Sequence, residues 1–221
     1  MEPSEWKDRF SRQVILPAIG EAGQKKWNEA SVGIVGEGIA LEAALTALIT
    51  SGLTTLRVLA FDEFDLSAWK NRFPESNLSL AASPVDFQEL SAQLILTEKE
   101  APRREWSRFL RARPRPAFFG WNAGSGAGLF FSKYEAGGCP CFECFETLNP
   151  KAFNRGDSDA RRFLGALAAS EVLQWLLKGE SPIENKVWIT SLDAGLSVHH
   201  PVFPSAKCPA GLMDRGAKVT P

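Results

Sequence analysis

Three cysteines stand within six residues, Cys139, Cys141 and Cys144, and a fourth, Cys208, follows much later in the chain. Cys141-Phe142-Glu143-Cys144 is a C-x-x-C knuckle, the spacing that lets two thiolates reach one tetrahedral zinc from a tight turn. With Cys139 and Cys208 the ligand count reaches four. A second knuckle would begin at Cys208-Pro209-Ala210-Gly211, but its final cysteine is missing. A reduced, metal-free loop therefore stands beside the structural-zinc reading. His199 and His200 are candidate stand-ins, and as neighbours in a polar loop they need no metal at all. A secreted disulfide framework fits less well, because such cysteines are spread along a chain and follow a signal peptide.

A second group of residues points to phosphate and ribose. Ser31-Val32-Gly33-Ile34-Val35 is a short apolar run that ends in Gly36-Glu37-Gly38. From Ile39 to Ser51 the residues Ile39, Leu41, Ala44, Leu45, Leu48 and Ile49 suit a helix packed on a sheet. Thr55 to Phe61 is apolar again and closes on Asp62. Strand, glycine turn, helix, strand and acid make the βαβ unit in which N–H groups at a helix start hold phosphate and the acid holds ribose. Gly124-Ser125-Gly126-Ala127-Gly128 lacks that setting and the lysine of a P-loop, so it reads as a flexible turn.

Arg103, Arg104, Arg108, Arg111, Arg113 and Arg115 form the third group. At helical spacing Arg104, Arg108, Arg111 and Arg115 share a face, with Trp106, Phe109 and Leu110 between them. That face is either a dock for an acidic partner segment or for nucleic acid, or a solvated surface over a buried aromatic seam. Pro114 and Pro116 end the helix.

These groups need a frame to hold them. The chain has 221 residues with 44% hydrophobic and 23% charged, a globular composition able to build a core. The formal net charge is -1, which argues against a dedicated nucleic-acid or membrane-surface binder. The first residues carry charges where a signal peptide needs an apolar run, so a cytoplasmic location is expected. Residues 6–29 read as a mostly helical lead-in broken at Pro17 and Gly20, with Trp6 and Trp27 available for a dimer contact. Residues 31–135 hold the βαβ region, including a strand from Pro116 to Gly120. Residues 136–221 hold the knuckle, a long helix from Arg162 to Lys178 stopped by Gly179, and closing strands at 187–189 and 196–198. The expected architecture is a single α/β domain over 1–221. It has a Rossmann-like, largely parallel sheet flanked by helices and a small cysteine-containing, antiparallel or irregular lobe.

Taken in order, these landmarks resemble the ThiF/MoeB/HesA family, the bacterial relatives of ubiquitin-activating enzymes. Arg9-Phe10-Ser11-Arg12-Gln13-Val14-Ile15-Leu16-Pro17, then Gly20, Gly23 and Gln24, is similar to the family's opening. The glycine turn, Asp62, the stretch from Ser67 to Arg72, Pro140-Cys141-Phe142-Glu143-Cys144, the helix from Gly165 through Glu171 to Gly179, and Cys208-Pro209 follow. The resemblance implies a dimer that binds ATP with magnesium and adenylates the C-terminal glycine of a ubiquitin-fold protein. It implies nucleotide contacts at Gly36, Gly38, Asp62 and Arg72, an arginine, Arg12, reaching the nucleotide of the other subunit, and zinc on Cys139, Cys141, Cys144 and Cys208.

The same resemblance marks departures. Where the family has G-x-G-G-x-G, the third and fourth glycines are Ile39 and Leu41, whose side chains are expected to block phosphate. Glu37 and Glu42 put negative charge near a helix start, and Glu42 can answer the helix dipole itself. The first acid of the ribose pair is Ala60. No lysine occurs from Phe73 through Gln88, and no aspartate stands near Thr97-Glu98-Lys99, where Glu98 is an imperfect magnesium ligand. The preferred expectation is a catalytically degenerate member that binds a ubiquitin-fold carrier, a peptide or an active paralogous subunit. The rival is an active adenylyltransferase using Gly36, Gly38, Asp62, Arg72 and Arg12 of a second subunit. A sensor of a nucleotide or redox cofactor is the third.

Overall fold

The computed structural model describes residues 8–134, 140–148 and 157–205; Trp6, Cys139 and Cys208 lie outside them. Helices α1 (Ser11–Val14) and α2 (Gly20–Glu29) lead into β1 (Ser31–Gly36), α3 (Gly38–Thr50) and β2 (Thr55–Ala60). Next come α4 (Leu66–Arg72), β3 (Asn77–Leu80), a 3₁₀ turn at Pro84–Phe87, β4 (Ala92–Leu96) and α5 (Glu100–Ala112). The chain continues through β5 (Ala117–Ala123), β6 (Gly126–Ser132), α6 (Phe142–Leu148), α7 (Ser158–Lys178), β7 (Lys186–Ser191) and β8 (Leu196–Pro201).

All eight strands join one sheet in the order β3-β2-β1-β4-β5-β6-β7-β8. The pairs from β3 to β5 are parallel and those from β5 to β8 antiparallel. The closing strands thus extend the main sheet instead of forming a lobe of their own. Gly126-Ala127-Gly128, expected in a turn, pairs with Ile189, Thr190 and Ser191 of β7. The glycines there have a packing reason: a Cβ on Gly126 would meet the Thr190 carbonyl and one on Gly128 the Trp121 ring.

Strand alternation splits the core in two. Val32 and Ile34, Leu94 and Leu96, Phe118, and Leu129 and Phe131 face one side, where α3 and α7 cover them with Leu41, Leu45, Leu48, Ala168 and Val172. Val35, Ile95, Phe119, Trp121 and Phe130 face the other, packed with Trp106 and Leu110 of α5 and Phe142 and Phe145 of α6. Trp27 is no surface anchor: it is buried, and its indole N–H donates to the Leu173 carbonyl at 2.8 Å. Among the described residues no helix is long and apolar enough to cross a membrane.

Candidate functional site

After β1 the chain moves outward through β2 and β3 and then returns to β4 on the other side of β1. Strand order reverses between β1 and β4, and in open α/β sheets that is where a crevice opens at the carboxyl ends. Gly36 ends β1, and a Cβ there would lie 2.4 Å from the Leu96 carbonyl oxygen, so the two strands meet this closely only with glycine. Glu37 is extended, Gly38 takes φ +58°, and α3 starts at once.

The N–H of Gly38 donates to Asp62 Oδ2 at 2.8 Å, a carboxylate at the helix start where dipole and free donor favour an anion. Asp62, not Glu42, therefore answers that end of α3; Glu42 is exposed. The Glu37 carboxylate accepts from Thr97 Oγ1 at 3.1 Å and from the Glu98 N–H at 3.2 Å. Lys99 Nζ stands 3.8 Å from Glu37 and donates to the Phe61 carbonyl at 3.3 Å. Glu98 accepts from Asn122 Nδ2 at 2.7 Å and from Arg161 Nη2 at 3.4 Å, and the Arg161 guanidinium comes within 3.2 Å of it as an ion pair. Asp157 caps α7 through the N–H groups of Asp159 and Ala160 and thereby fixes the turn that carries Arg161. The described lining also includes Gly120 and Leu164, and the space holds about 130 Å³.

Gly36, Gly38 and Asp62 are thus brought together. Leu41 does not obstruct them: α3 begins at Gly38, so Leu41 turns inward and is buried beneath the sheet. Arg72 is exposed on α4, its guanidinium over the rings of Phe73 and Trp69, and does not line the crevice. Arg12 is exposed on α1, whose neighbour Gln13 reaches the Thr50 carbonyl at the far end of α3. Thirteen helical residues span about 20 Å, so Arg12 lies a helix length from its own chain's crevice.

Cys141 and Cys144 sit at the start of α6 with Sγ atoms 3.7 Å apart, both buried. A disulfide needs about 2.05 Å; two Zn–S bonds of about 2.3 Å at the tetrahedral angle place sulfurs about 3.8 Å apart. The pair therefore has the spacing of half a zinc site. The Ser205 N–H approaches Cys144 Sγ at 3.5 Å, which brings Ser205 alongside the knuckle. Among the described residues no third histidine, cysteine or acid completes a metal-binding group, so His199 and His200 do not supply it. His199 packs edge-on against Trp188.

The arginine face of α5 turns to that knuckle. Buried Arg103 donates to Glu146 Oε1 at 3.1 Å and to the Thr97 carbonyl at 3.0 Å. Arg104 reaches Glu146 Oε2 at 3.2 Å, and Arg108 reaches Glu143 Oε1 at 3.1 Å. Arg104 and Arg108 remain about half exposed over the buried Trp106 and Leu110, so the face is a surface over an aromatic seam whose guanidinium groups also pair with acids of the knuckle helix. Asn122 and Arg161 had gone unremarked in the sequence. The available signal was positional: Asn122 is a polar residue at the carboxyl end of an otherwise apolar central strand.

No protein-family model matches the chain. Over 60 residues it is 37% identical to the sulfur carrier protein adenylyltransferase of Thermus thermophilus, covering 27% of this chain and 22% of that protein. Over 91 residues it is 32% identical to the adenylyltransferase and sulfurtransferase MOCS3 of Culex quinquefasciatus, covering 39% and 21%. The matched parts span about a fifth of those relatives. Among solved structures, E. coli MccB with ATP superposes at a TM-score of 0.71 over 94% of this chain and 76% of that one, at 17% identity. MccB with AMPCPP and MccA gives 0.72 at 17% identity over the same shares. PaaA gives 0.69 at 14% identity, over 93% and 76%. At these identities the structural likeness shows a shared fold.

Proposed function

We propose that this chain, related to the ThiF/MoeB family by local identity to two adenylyltransferases and by the shared fold, serves as a binding subunit and not as the adenylating enzyme. Its partner is a ubiquitin-fold carrier, a peptide or an active paralogous subunit. The observation that carries the reading is the Gly38 N–H, held by Asp62 with Glu37 and Glu98 alongside. In an adenylating site that donor and the surrounding charge must meet a polyphosphate. Here the described lining has three carboxylates and one guanidinium, in a space below the ~300 Å³ at which ligand pockets usually begin. The residues present fit ATP with magnesium poorly, and no catalytic step is derived through it.

The zinc reading is supported by the sulfur spacing. Cys141 and Cys144 would hold the ion together with Cys139 and Cys208, and the ion would supply a structural cross-link between the knuckle and the later chain.

A specific observation keeps the rival reading in view: Gly36, Gly38 and Asp62 converge at the strand-order reversal, where an adenosine ribose would lie. Isothermal titration of the full chain with ATP and magnesium decides between them. No saturable binding up to about 1 mM, with the protein folded and a pull-down recovering a carrier or paralogue, fits the binding subunit. Micromolar ATP binding with pyrophosphate release in the presence of a carrier would replace it with the adenylyltransferase.

A further inference from the structure

We propose that the outer edge of β8 pairs antiparallel with β8 of a second copy of this chain, joining two sheets across a two-fold axis at Val198. The inference goes beyond the binding-subunit reading and does not depend on what the crevice takes.

β8 ends the sheet, with β7 on one side and no strand among the described residues on the other. All six of its residues are exposed, Leu196 at 64% and Val198 at 44% among them. The edge lacks the features that usually keep such strands from pairing. Leu196-Ser197-Val198-His199-His200 has no lysine, acid or internal proline, and its register with β7 runs without a bulge. The direction of its main-chain groups follows from the ladder. The Val202 N–H donates to the Asn185 carbonyl at 2.9 Å. Residues alternate from there, so His200, Val198 and Leu196 aim their N–H and C=O groups at β7, and Ser197 and His199 aim theirs outward. Both are held from behind: the Trp188 indole N–H donates to the Ser197 hydroxyl, and its ring meets His199 edge-on at 5.5 Å.

The strand is complementary to itself in three respects, which is why the occupant is a second copy. An axis at Val198 sets Ser197 of each copy against His199 of the other. Four main-chain hydrogen bonds then form, and no outward N–H of the strand is left over. Val198 meets its symmetry mate in the close, non-hydrogen-bonded kind of pair, with Ile189 beside each, so the apolar stripe runs on across the axis without a like-charge clash. Antiparallel pairing also lays the hairpin tip that carries exposed Asp193 beside the end of the other hairpin that carries exposed Lys186.

The test is sedimentation velocity of the full chain across a wide concentration range, paired with hydrogen exchange at the Ser197 and His199 amides. One strand pair is smaller than a standard interface, so a reversible dimer with a Kd of about 10–100 µM is expected. The two amides should be protected in the dimer and exchange freely on dilution. Val198→Lys sets like charges against each other at the axis and should weaken the dimer about tenfold or more. His199→Pro removes only an outward N–H, which an edge strand tolerates, and should weaken it similarly. Leu80→Lys at the end of β3, the opposite edge, should change nothing. Exchange in the unaltered chain carries the test if the β8 variants fail to fold. Monomer up to about 500 µM overturns the proposal. Protection that does not change with concentration also overturns it, in favour of an edge covered within one chain. A dimer that survives both β8 variants but is lost with Ile15→Glu, at the exposed end of α1, overturns it in favour of a contact there.

Discussion

Glu171 shows what a single side chain can cost at this fold's working pH. It lies buried on α7, and desolvation pushes its carboxyl above the usual glutamate range, while the Ser181 hydroxyl at 3.5 Å and Lys178 pull it back. A carboxyl raised in the folded state contributes stability fully present below its unfolded value and lost as pH rises through its folded value. Glu171→Gln should therefore raise the urea midpoint at neutral pH, with the gain closing towards pH ~4; a gain that does not depend on pH would contradict this cause. If the knuckle holds zinc, Cys144→Ala should release about one zinc per chain by elemental analysis and lower the melting temperature, since the ion would cross-link distant segments. Metal-free protein of full stability would end the zinc reading. Residue spacing made Gly36, Gly38 and Asp62 legible, because strand, turn, helix and acid are consecutive. Glu98, Asn122 and Arg161 were not legible as a group, since only the topology brings three separate segments to one crevice. The expectation for Leu41 failed through register: α3 starts at Gly38, which turns that side chain inward.

At the scale of elements, the contact between α5 and α6 is an ionic clamp more than an apolar seam at its crevice-facing end. Arg103 ties Glu146 of the knuckle helix to the Thr97 carbonyl, and the Thr97 hydroxyl in turn holds Glu37 of the glycine turn. Removing one partner of a buried pair leaves the other charge stranded, at a cost of about 3–5 kcal/mol. Because Arg104 still reaches Glu146, Arg103→Met should fall near the lower end, ~3 kcal/mol by chemical denaturation. A loss within ~0.5 kcal/mol would show that the pair is solvated and dispensable. The helix and its arginine stripe were legible from periodicity. Its partners were not, because Glu143 and Glu146 lie in the knuckle, where cysteine spacing drew the chemical reading. Similarly, α7 packs on α3 so closely that a Cβ on Gly165 would lie 2.2 Å from the Ala40 carbonyl. The sequence marks that glycine as the start of the family-like helix pattern, without giving this packing reason for it.

Over the whole molecule, the sheet separates two kinds of interior. The side under α3 and α7 is mostly aliphatic, whereas the side under α5 and α6 gathers Phe87, Trp106, Phe119, Trp121, Phe130, Tyr134, Phe142 and Phe145. The α/β class and the parallel half were legible because each βαβ step leaves its period in the chain. The antiparallel half was harder: β6 and β7 pair across the whole of α6 and α7, and nothing local in either strand announces such a partner. The aromatic side has a chiroptical consequence. Phe142 of the knuckle helix stacks on Phe119 at 4.5 Å and Phe145 lies 4.8 Å from Trp121. Those rings owe their fixed mutual orientation to α6. If the knuckle holds a metal as proposed, stripping it should therefore weaken the near-ultraviolet circular dichroism while the far-ultraviolet spectrum, set by the helices and the sheet, stays largely intact. One interior would lose its optical asymmetry and the other keep its shape.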